Sequence, residues 1–282
     1  MADFDIQKIV ENYRESISLN IDVIRSEIND NPVINDKETI KLYEEILSKT
    51  SQVVSERWLK KEKYLRTKHT VSVFGDNFPK DLLILSLCVD AMVNILDDFY
   101  DEPLSKEQKQ IYLIELLRVN SIINCKIPSL NLLADLGEYF DKLITLAIAE
   151  NFILQQIKEN LEFEFVISQG SSLLLTRAYD MDIFVQIAEH NNTQNTLIYE
   201  FRILRALNIL KKDILDLRRD IETDQESIVT CVYQSDLPNE SVLVGIANKI
   251  LSQKKDKRAK LQRLSDMINN EAEEIKSLAK LI

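Results

Sequence analysis

Glycine and proline are scarce in this sequence of 282 residues, which contains four glycines and five prolines. A doubly wound α/β fold needs glycine-rich turns after its strands, and no such turn is visible. The chain is instead rich in Leu, Ile, Glu, Lys, Asp and Asn, and its apolar residues recur at intervals of three and four. The scarcity of turn residues therefore argues against a dinucleotide-binding fold and favours an all-α protein.

Cysteine and histidine are also rare. The three cysteines, Cys88, Cys125 and Cys231, match no zinc or redox spacing, and two histidines are too few for a histidine-based metal site. The N-terminus has no basic region followed by an apolar run, so we expect no signal peptide. The longest apolar stretch, 82–96, is interrupted by Asp90 and is too short to span a membrane. These features predict a cytoplasmic protein without stable membrane insertion.

Basic residues are fewer than acidic ones. The sequence has 35 Lys and Arg residues and 46 Asp and Glu residues, which gives a formal net charge of −11. Nucleic acids attract clustered Lys and Arg, so this balance argues against a nucleic-acid partner. It also disfavours docking to an anionic membrane surface. An acidic protein can bind a phosphorylated substrate when cations lie between the two, so such a substrate would require metal ions.

Apolar periodicity predicts helices along almost the whole chain, and prolines interrupt the pattern between them. The predicted helices lie near 5–29, 37–66, 80–100, 105–122, 129–168, 171–190, 195–222, 239–252 and 257–281. Ser105 and Gln108 predict a capping box at the start of the helix after Pro103. Because no linker, repeat or low-complexity tract divides the chain, we expect one helical domain over 1–282.

One predicted helix is apolar on every face and then runs into the acidic segment Asp97-Asp98-Phe99-Tyr100-Asp101. Such a helix is typical of the middle of a bundle. Asp97 and Asp101 are four residues apart and share a face that also carries Asn94 and Asp90. Like charges at this spacing repel each other and destabilise the helix. A bound metal ion would relieve this repulsion, and so would water around an exposed helix end, so both interpretations stay open.

A second acidic helix is predicted more than one hundred residues later. Its apolar stripe consists of Ile203, Leu207, Leu210, Ile214 and Leu217. Asp213, Asp216 and Asp220 are spaced i, i+3, i+7, so three carboxylates project from nearly one side of the helix. Lys212, Arg218 and Arg219 are interleaved with them, so a surface face of intrahelical ion pairs is the alternative.

The two acidic clusters together suggest magnesium chemistry. Magnesium prefers oxygen ligands and usually bridges a few carboxylates to substrate phosphates. Carboxylates on two helices with basic residues nearby would suit a diphosphate held by several metal ions. Such ions would reverse the repulsion expected from the net charge and stabilise a departing diphosphate.

The motifs resemble those of class I isoprenoid synthases. The segment Asp97-Asp98-Phe99-Tyr100-Asp101 is similar to the DDxxD motif of terpene synthases and chain-elongating prenyltransferases. The segment 212–220 is similar in spacing to the NDxxSxxxE motif of microbial terpene synthases, with Lys212, Asp216 and Asp220 at the Asn, Ser and Glu positions. The resemblance covers roughly residues 80–235. Chain-elongating enzymes rank second, because paired arginines normally follow their longer first motif and none follows here.

The resemblance implies an all-α, single-domain class I isoprenoid synthase bundle with a central active-site cavity. It implies three Mg²⁺ ions, two on Asp97, Asp98 and Asp101, and one on Asp216 and Asp220 with Asp213 as a further candidate ligand. The implied reaction ionises a C15 or C20 allylic prenyl diphosphate to give a terpene hydrocarbon or alcohol. A chain-elongating or head-to-head prenyltransferase and a non-catalytic helical homologue are the alternatives, and a homodimer is left open.

The resemblance also implies substrate contacts. A diphosphate-sensing arginine is expected a few residues before a helix break, which we place at Gly170; no arginine stands there, and Arg177 is the nearest candidate. Lys212 and Arg219 are the other candidates for contacting diphosphate oxygens. Phe99 and Tyr100 are candidates for stabilising a carbocation, with core packing as the alternative. Gly170 is interpreted either as a kink that turns a carbonyl towards the cation or as a site of close helix packing.

Overall fold

The computed structural model describes residues 5–8, 10–12, 15, 66–101, 103–190, 197–254 and 262–282. Helices connected by short loops make up this part of the chain, and it contains no strand. This confirms the predicted all-α class. The helices predicted at 5–29 and 37–66 lie almost entirely outside the described residues. None of the described helices is long and apolar enough to cross a membrane.

The chain divides into two compact units, Met1–Leu130 and Asn131–Ile282. The single helical domain expected over 1–282 stays a prediction.

The first unit is built on a buried helix. Its elements are α1 (Arg66–Phe74), two 3₁₀ turns (Gly75–Asn77 and Lys80–Leu82), α2 (Leu83–Asp101) and α3 (Lys106–Lys126). Helix α2 packs against α1 and α3, and Leu87, Ala91 and Ile95 on it are completely buried. The helix that is apolar on every face is therefore in a core, as predicted. The capping box is also confirmed, since Gln108 N donates to Ser105 Oγ at 3.2 Å and Ser105 N donates to Gln108 Oε1 at 2.8 Å.

The second unit is organised around one central helix. Its elements are α4 (Leu130–Glu159), of which only the first residue belongs to the first unit, α5 (Phe163–Arg177), a 3₁₀ turn (Ala178–Met181), α6 (Asp182–Ala188), α7 (Ile198–Glu222), α8 (Ile228–Tyr233), α9 (Asn239–Leu251) and α10 (Gln262–Ala279). Helix α7 contacts α5, α6, α8, α9, α10 and the 3₁₀ turn. The whole apolar stripe predicted on α7 is buried. The aspartates of the second motif lie beside this stripe on α7, and two of them, Asp213 and Asp220, are buried as well.

Two predicted helix boundaries are wrong. Helix α5 runs without interruption through Gly170, where a break was expected, and the chain leaves the helical path at 160–162 instead. A Cβ atom at Gly170 would lie 2.9 Å from Ile246 Cδ1 and 3.0 Å from Ile228 Cγ1. Glycine therefore lets α8 and α9 approach α5 closely, as the packing interpretation of this residue predicts.

Candidate functional site

The first acidic segment forms the C-terminal end of α2. Asp97 is exposed, while Asp98 and Phe99 are half-buried. The Phe99 ring makes an edge-to-face contact with Tyr112, with centroids 6.0 Å apart and an interplanar angle of 72°. The backbone of Tyr100 and Asp101 continues α2, whereas their side chains lie outside the described part of the structure. The structure therefore gives Phe99 a packing role and leaves its predicted contact with a cation untested.

Asp90 has a structural role that the sequence pattern did not indicate. It is fully buried, and its carboxylate accepts hydrogen bonds from Thr67 N at 2.9 Å, Thr67 Oγ1 at 2.6 Å and Arg66 N at 3.3 Å. Arg66 Nη1 lies 3.3 Å from the same carboxylate. Burial raises the pKa of Asp90, whereas Arg66 and Thr67 oppose this change. Asp90 thus joins α2 to the first turn of α1 and does not extend the acidic face towards Asp97.

The second acidic segment combines buried and accessible carboxylates on α7. Asp213 and Asp220 are buried, with 6% and 5% of their surface exposed, whereas Asp216 is half-buried. Lys212 is exposed. The predicted arrangement of three aspartates on one side is therefore present, and it extends from the buried region to the surface.

A guanidinium group from another helix forms an ion pair with the Asp213 carboxylate. Arg177 is the last residue of α5, and its Nη1 donates to Asp213 Oδ2 at 3.1 Å. Its Nε lies 3.2 Å from Glu150 Oε1 on α4, so Arg177 connects three helices. Burial raises the pKa of Asp213; Arg177 and Lys212 oppose this shift, and Asp220 reinforces it.

Arg219 forms a similar bridge within α7. Its Nη2 donates to Asp216 Oδ2 at 3.0 Å and to Asp220 Oδ1 at 3.1 Å. The intrahelical pair between Asp216 and Arg219, one of the two interpretations of this face, is thus confirmed. All three aspartates of the second motif therefore have an arginine partner.

Arg177 is the last residue of α5 and is followed by a short turn. The 3₁₀ turn Ala178–Met181 separates α5 from α6. Tyr139 Oη donates to the carbonyl of Asp180 at 2.9 Å, and Arg205 makes a two-pronged ion pair with the Asp180 carboxylate at 2.7–3.1 Å. Arg177 therefore lies at the end of α5 and not before the break expected at Gly170, and its predicted contact with a diphosphate stays a prediction. Because Tyr139 and Arg205 are distant in sequence, their contacts with Asp180 could not be inferred from the periodicity.

The candidate metal ligands suit Mg²⁺ by their chemistry, because carboxylate oxygens are the donors that this ion prefers. Within the described part of the chain, however, no three acidic, histidine or cysteine side chains form a group ready to hold a metal ion. In the second segment each of the three carboxylates accepts a hydrogen bond from Arg177 or Arg219.

The helical architecture is that of an isoprenoid synthase-type fold. Over 99% of its length the chain is similar to the crystal structure of a protein from Corynebacterium glutamicum described as a "putative geranylgeranyl pyrophosphate synthase". The similarity covers 89% of that protein with a TM-score of 0.52 and 14% sequence identity, so it establishes the fold alone. No protein-family model matches the sequence, and the search of curated proteins found no match.

Proposed function

We propose that this protein is a Mg²⁺-dependent enzyme of the class I isoprenoid synthase type that ionises an allylic prenyl diphosphate. The observation that carries the proposal is the isoprenoid synthase-type fold over nearly the whole chain, with DDxxD at the end of the buried helix α2. The aspartates of α7, and Arg177 at the end of α5, support it. The ligands proposed for Mg²⁺ are Asp97, Asp98 and Asp101 in the first motif and the three aspartates of α7 in the second.

In the proposed reaction the allylic carbon–oxygen bond breaks heterolytically and its electron pair leaves with the diphosphate. Bound Mg²⁺ would supply Lewis-acid stabilisation to that leaving group. Arg177 and Arg219 would donate hydrogen bonds to its oxygens, and Lys212 would add positive charge. The carbocation then either loses a proton to give a hydrocarbon, or adds water and loses a proton to give an alcohol. This is the terpene synthase form of the proposal, with a C15 or C20 substrate.

Chain elongation is a second candidate, and two observations favour it. The structural neighbour from C. glutamicum is described as a "putative geranylgeranyl pyrophosphate synthase", and Asp213 and Asp216 have the spacing of the second motif of chain-elongating prenyltransferases. In that reaction isopentenyl diphosphate would attack the carbocation, and the product would lose a proton.

The test is incubation with geranyl, farnesyl or geranylgeranyl diphosphate and Mg²⁺, with and without isopentenyl diphosphate. Release of diphosphate together with a terpene product in the absence of isopentenyl diphosphate supports the terpene synthase. Turnover that depends on isopentenyl diphosphate supports chain elongation, and no turnover under either condition contradicts both.

Matched variants would locate the activity. Asp97→Asn and Asp216→Asn should each lower kcat/KM by about 10²-fold or more, the order expected when a preorganised charge contact is lost. Asp266→Asn is the control, because Asp266 is exposed on α10 and its carboxylate accepts a hydrogen bond from Gln262 of the same helix. Equal losses in all three variants would argue against the assigned sites.

A further inference from the structure

The carboxylates of the second motif are held by arginines that also belong to the proposed diphosphate contacts. Arg177 bonds to Asp213, and Arg219 bonds to both Asp216 and Asp220. A carboxylate oxygen that accepts a hydrogen bond from a guanidinium is a poorer ligand for a metal ion, because the two cations repel each other. The two arginines and Mg²⁺ would therefore compete for the same three carboxylates, each of which accepts from an arginine through one oxygen.

The contact with Asp213 is one of two ion pairs that the Arg177 side chain makes. Arg177 keeps a second partner, since its Nε lies 3.2 Å from Glu150 Oε1, and 29% of its side chain is exposed. Asp213 is more enclosed than Arg177, since only 8% of its side chain is exposed. Removing Arg177 from Asp213 thus leaves a buried carboxylate that needs another cation, while Arg177 retains Glu150.

We infer that Arg177 and Arg219 are exchangeable counter-ions that keep the second motif closed to Mg²⁺ until a diphosphate draws the guanidinium groups away. This inference rests on the proposed function and adds an order to binding. The metal ion alone binds the α7 carboxylates weakly, because both arginines occupy them. With diphosphate present, the arginines gain new anionic partners and the carboxylates become available, so ligand and metal favour each other's binding.

The decisive experiment measures binding of Mn²⁺, used in place of Mg²⁺, without any diphosphate. Calorimetric or electron paramagnetic resonance titration should show that the Arg177→Gln variant binds Mn²⁺ at least about tenfold more tightly than the unchanged protein does. A change of this size is within the range typical of coupled sites. Adding Asp213→Asn to Arg177→Gln should abolish the gain, which would locate the new binding at Asp213. Melting curves should show Mn²⁺ alone raising the melting temperature of Arg177→Gln more than that of the unchanged protein.

Arg218→Gln is the matched control. Arg218 lies on the same helix, its side chain is 94% exposed, and it pairs with Glu222. This variant loses the same charge without touching the three aspartates, so its affinity for Mn²⁺ should stay within about twofold of the unchanged protein. An equal gain in Arg218→Gln would overturn the inference, since the cause would then be net charge.

Arg219→Gln provides an independent test if Arg177→Gln does not fold. The Arg219 side chain is 58% exposed, so its replacement should not disturb the core, and it should also tighten binding of Mn²⁺ alone. If neither arginine variant gains affinity while the unchanged protein binds Mg²⁺ and pyrophosphate together, the inference is wrong and the proposed function stands. If the unchanged protein does not bind Mg²⁺ and pyrophosphate together, both fail.

Discussion

At the scale of single residues, Glu189 and Glu200 form a buried acidic pair in the second unit. Glu189 follows α6 directly, Glu200 lies in the first turn of α7, and only 4% and 3% of their surfaces are exposed. The pKa of Glu189 is raised to about 7, first by burial and then by the negative charge of Glu200. Between pH 4.5 and pH 7 the folded protein therefore holds a proton at Glu189 that the unfolded chain has released.

The sign of the pH effect follows from this pKa. A raised pKa gives Glu189 a stabilising contribution that is present in full below pH 4.5 and is lost as the pH rises through about 7. Glu189→Gln should therefore increase the free energy of unfolding by about 1 kcal/mol at pH 8 and have little effect at pH 5. Urea unfolding at both pH values measures this. An equal change at the two pH values would contradict the assignment, and Glu240→Gln, at an exposed site on α9, is the control.

Asp224 adopts an unusual backbone conformation at the end of α7. Its φ is +55°, and Asp224 N and Gln225 N donate to the carbonyls of Ile221 and Asp220 at 3.4 and 2.8 Å. This is the Schellman arrangement, in which glycine is the preferred residue at the left-handed position. Asp224→Gly should therefore stabilise the protein by about 0.5–1 kcal/mol, and the β-branched Asp224→Val should destabilise it by about 1–2 kcal/mol.

Urea unfolding of these Asp224 variants provides the measurement, and Asp224→Asn is the control because asparagine tolerates the left-handed region nearly as well as aspartate. A gain in stability for Asp224→Val would mean that the left-handed conformation is not maintained in solution.

At the scale of secondary-structure elements, α5 and α9 approach each other through two glycines. Gly170 faces Ile246, and a Cβ atom at Gly245 would lie 2.5 Å from Ile167 Cδ1. Gly245→Ala should overpack this contact and so lower the free energy of unfolding by about 1–3 kcal/mol. This loss outweighs the gain of about 1 kcal/mol from the higher helix propensity of alanine. Thermal unfolding should show a lower melting temperature. Adding Ile167→Val, which removes the Cδ1 atom, should recover most of the loss.

Gly137 is the matched control for the packing of α5 on α9. It lies in α4, and a Cβ atom there would meet nothing within 4 Å. Gly137→Ala should therefore stabilise the protein by up to about 1 kcal/mol through helix propensity alone. If both alanine variants were stabilised alike, the close approach of α5 and α9 would not be a constraint.

Local sequence patterns predicted helical faces and helix caps well, because interactions within one helix determine them. The stripe on α7 and the Ser105–Gln108 capping box depend on residues within a few turns of one helix. The turn after α5 has contacts that local patterns do not indicate, since Tyr139 and Arg205 reach Asp180 from 41 and 25 residues away. The break expected at Gly170 was wrong, because whether a helical glycine interrupts a helix or admits a neighbour depends on which helix packs against it.

At the scale of the whole molecule, local patterns in the sequence also predicted only part of the candidate site. The spacing of Asp213, Asp216 and Asp220 predicted one acidic side of α7, and the structure has it. The pairing of Arg177 with Asp213 and Glu150 joins three helices, and no spacing in the sequence indicates it. Residue types therefore led to a hypothesis about the chemistry, which stays a prediction, whereas the partner of each charge required the tertiary structure.

Net charge leads to the last prediction. With a formal charge of −11, the protein should repel pyrophosphate, so pyrophosphate alone should not raise the melting temperature. Mg²⁺ together with pyrophosphate at about 100 times the dissociation constant should stabilise the folded state by about 2.7 kcal/mol. A stabilisation of 1 kcal/mol raises the melting temperature of a protein of this size by about 2 °C, so the expected shift is roughly 5 °C. Asp97→Asn and Asp216→Asn should reduce this shift in melting temperature, whereas the control Asp266→Asn should keep it. If pyrophosphate alone raised the melting temperature as much as Mg²⁺ with pyrophosphate does, the anion would bind without metal.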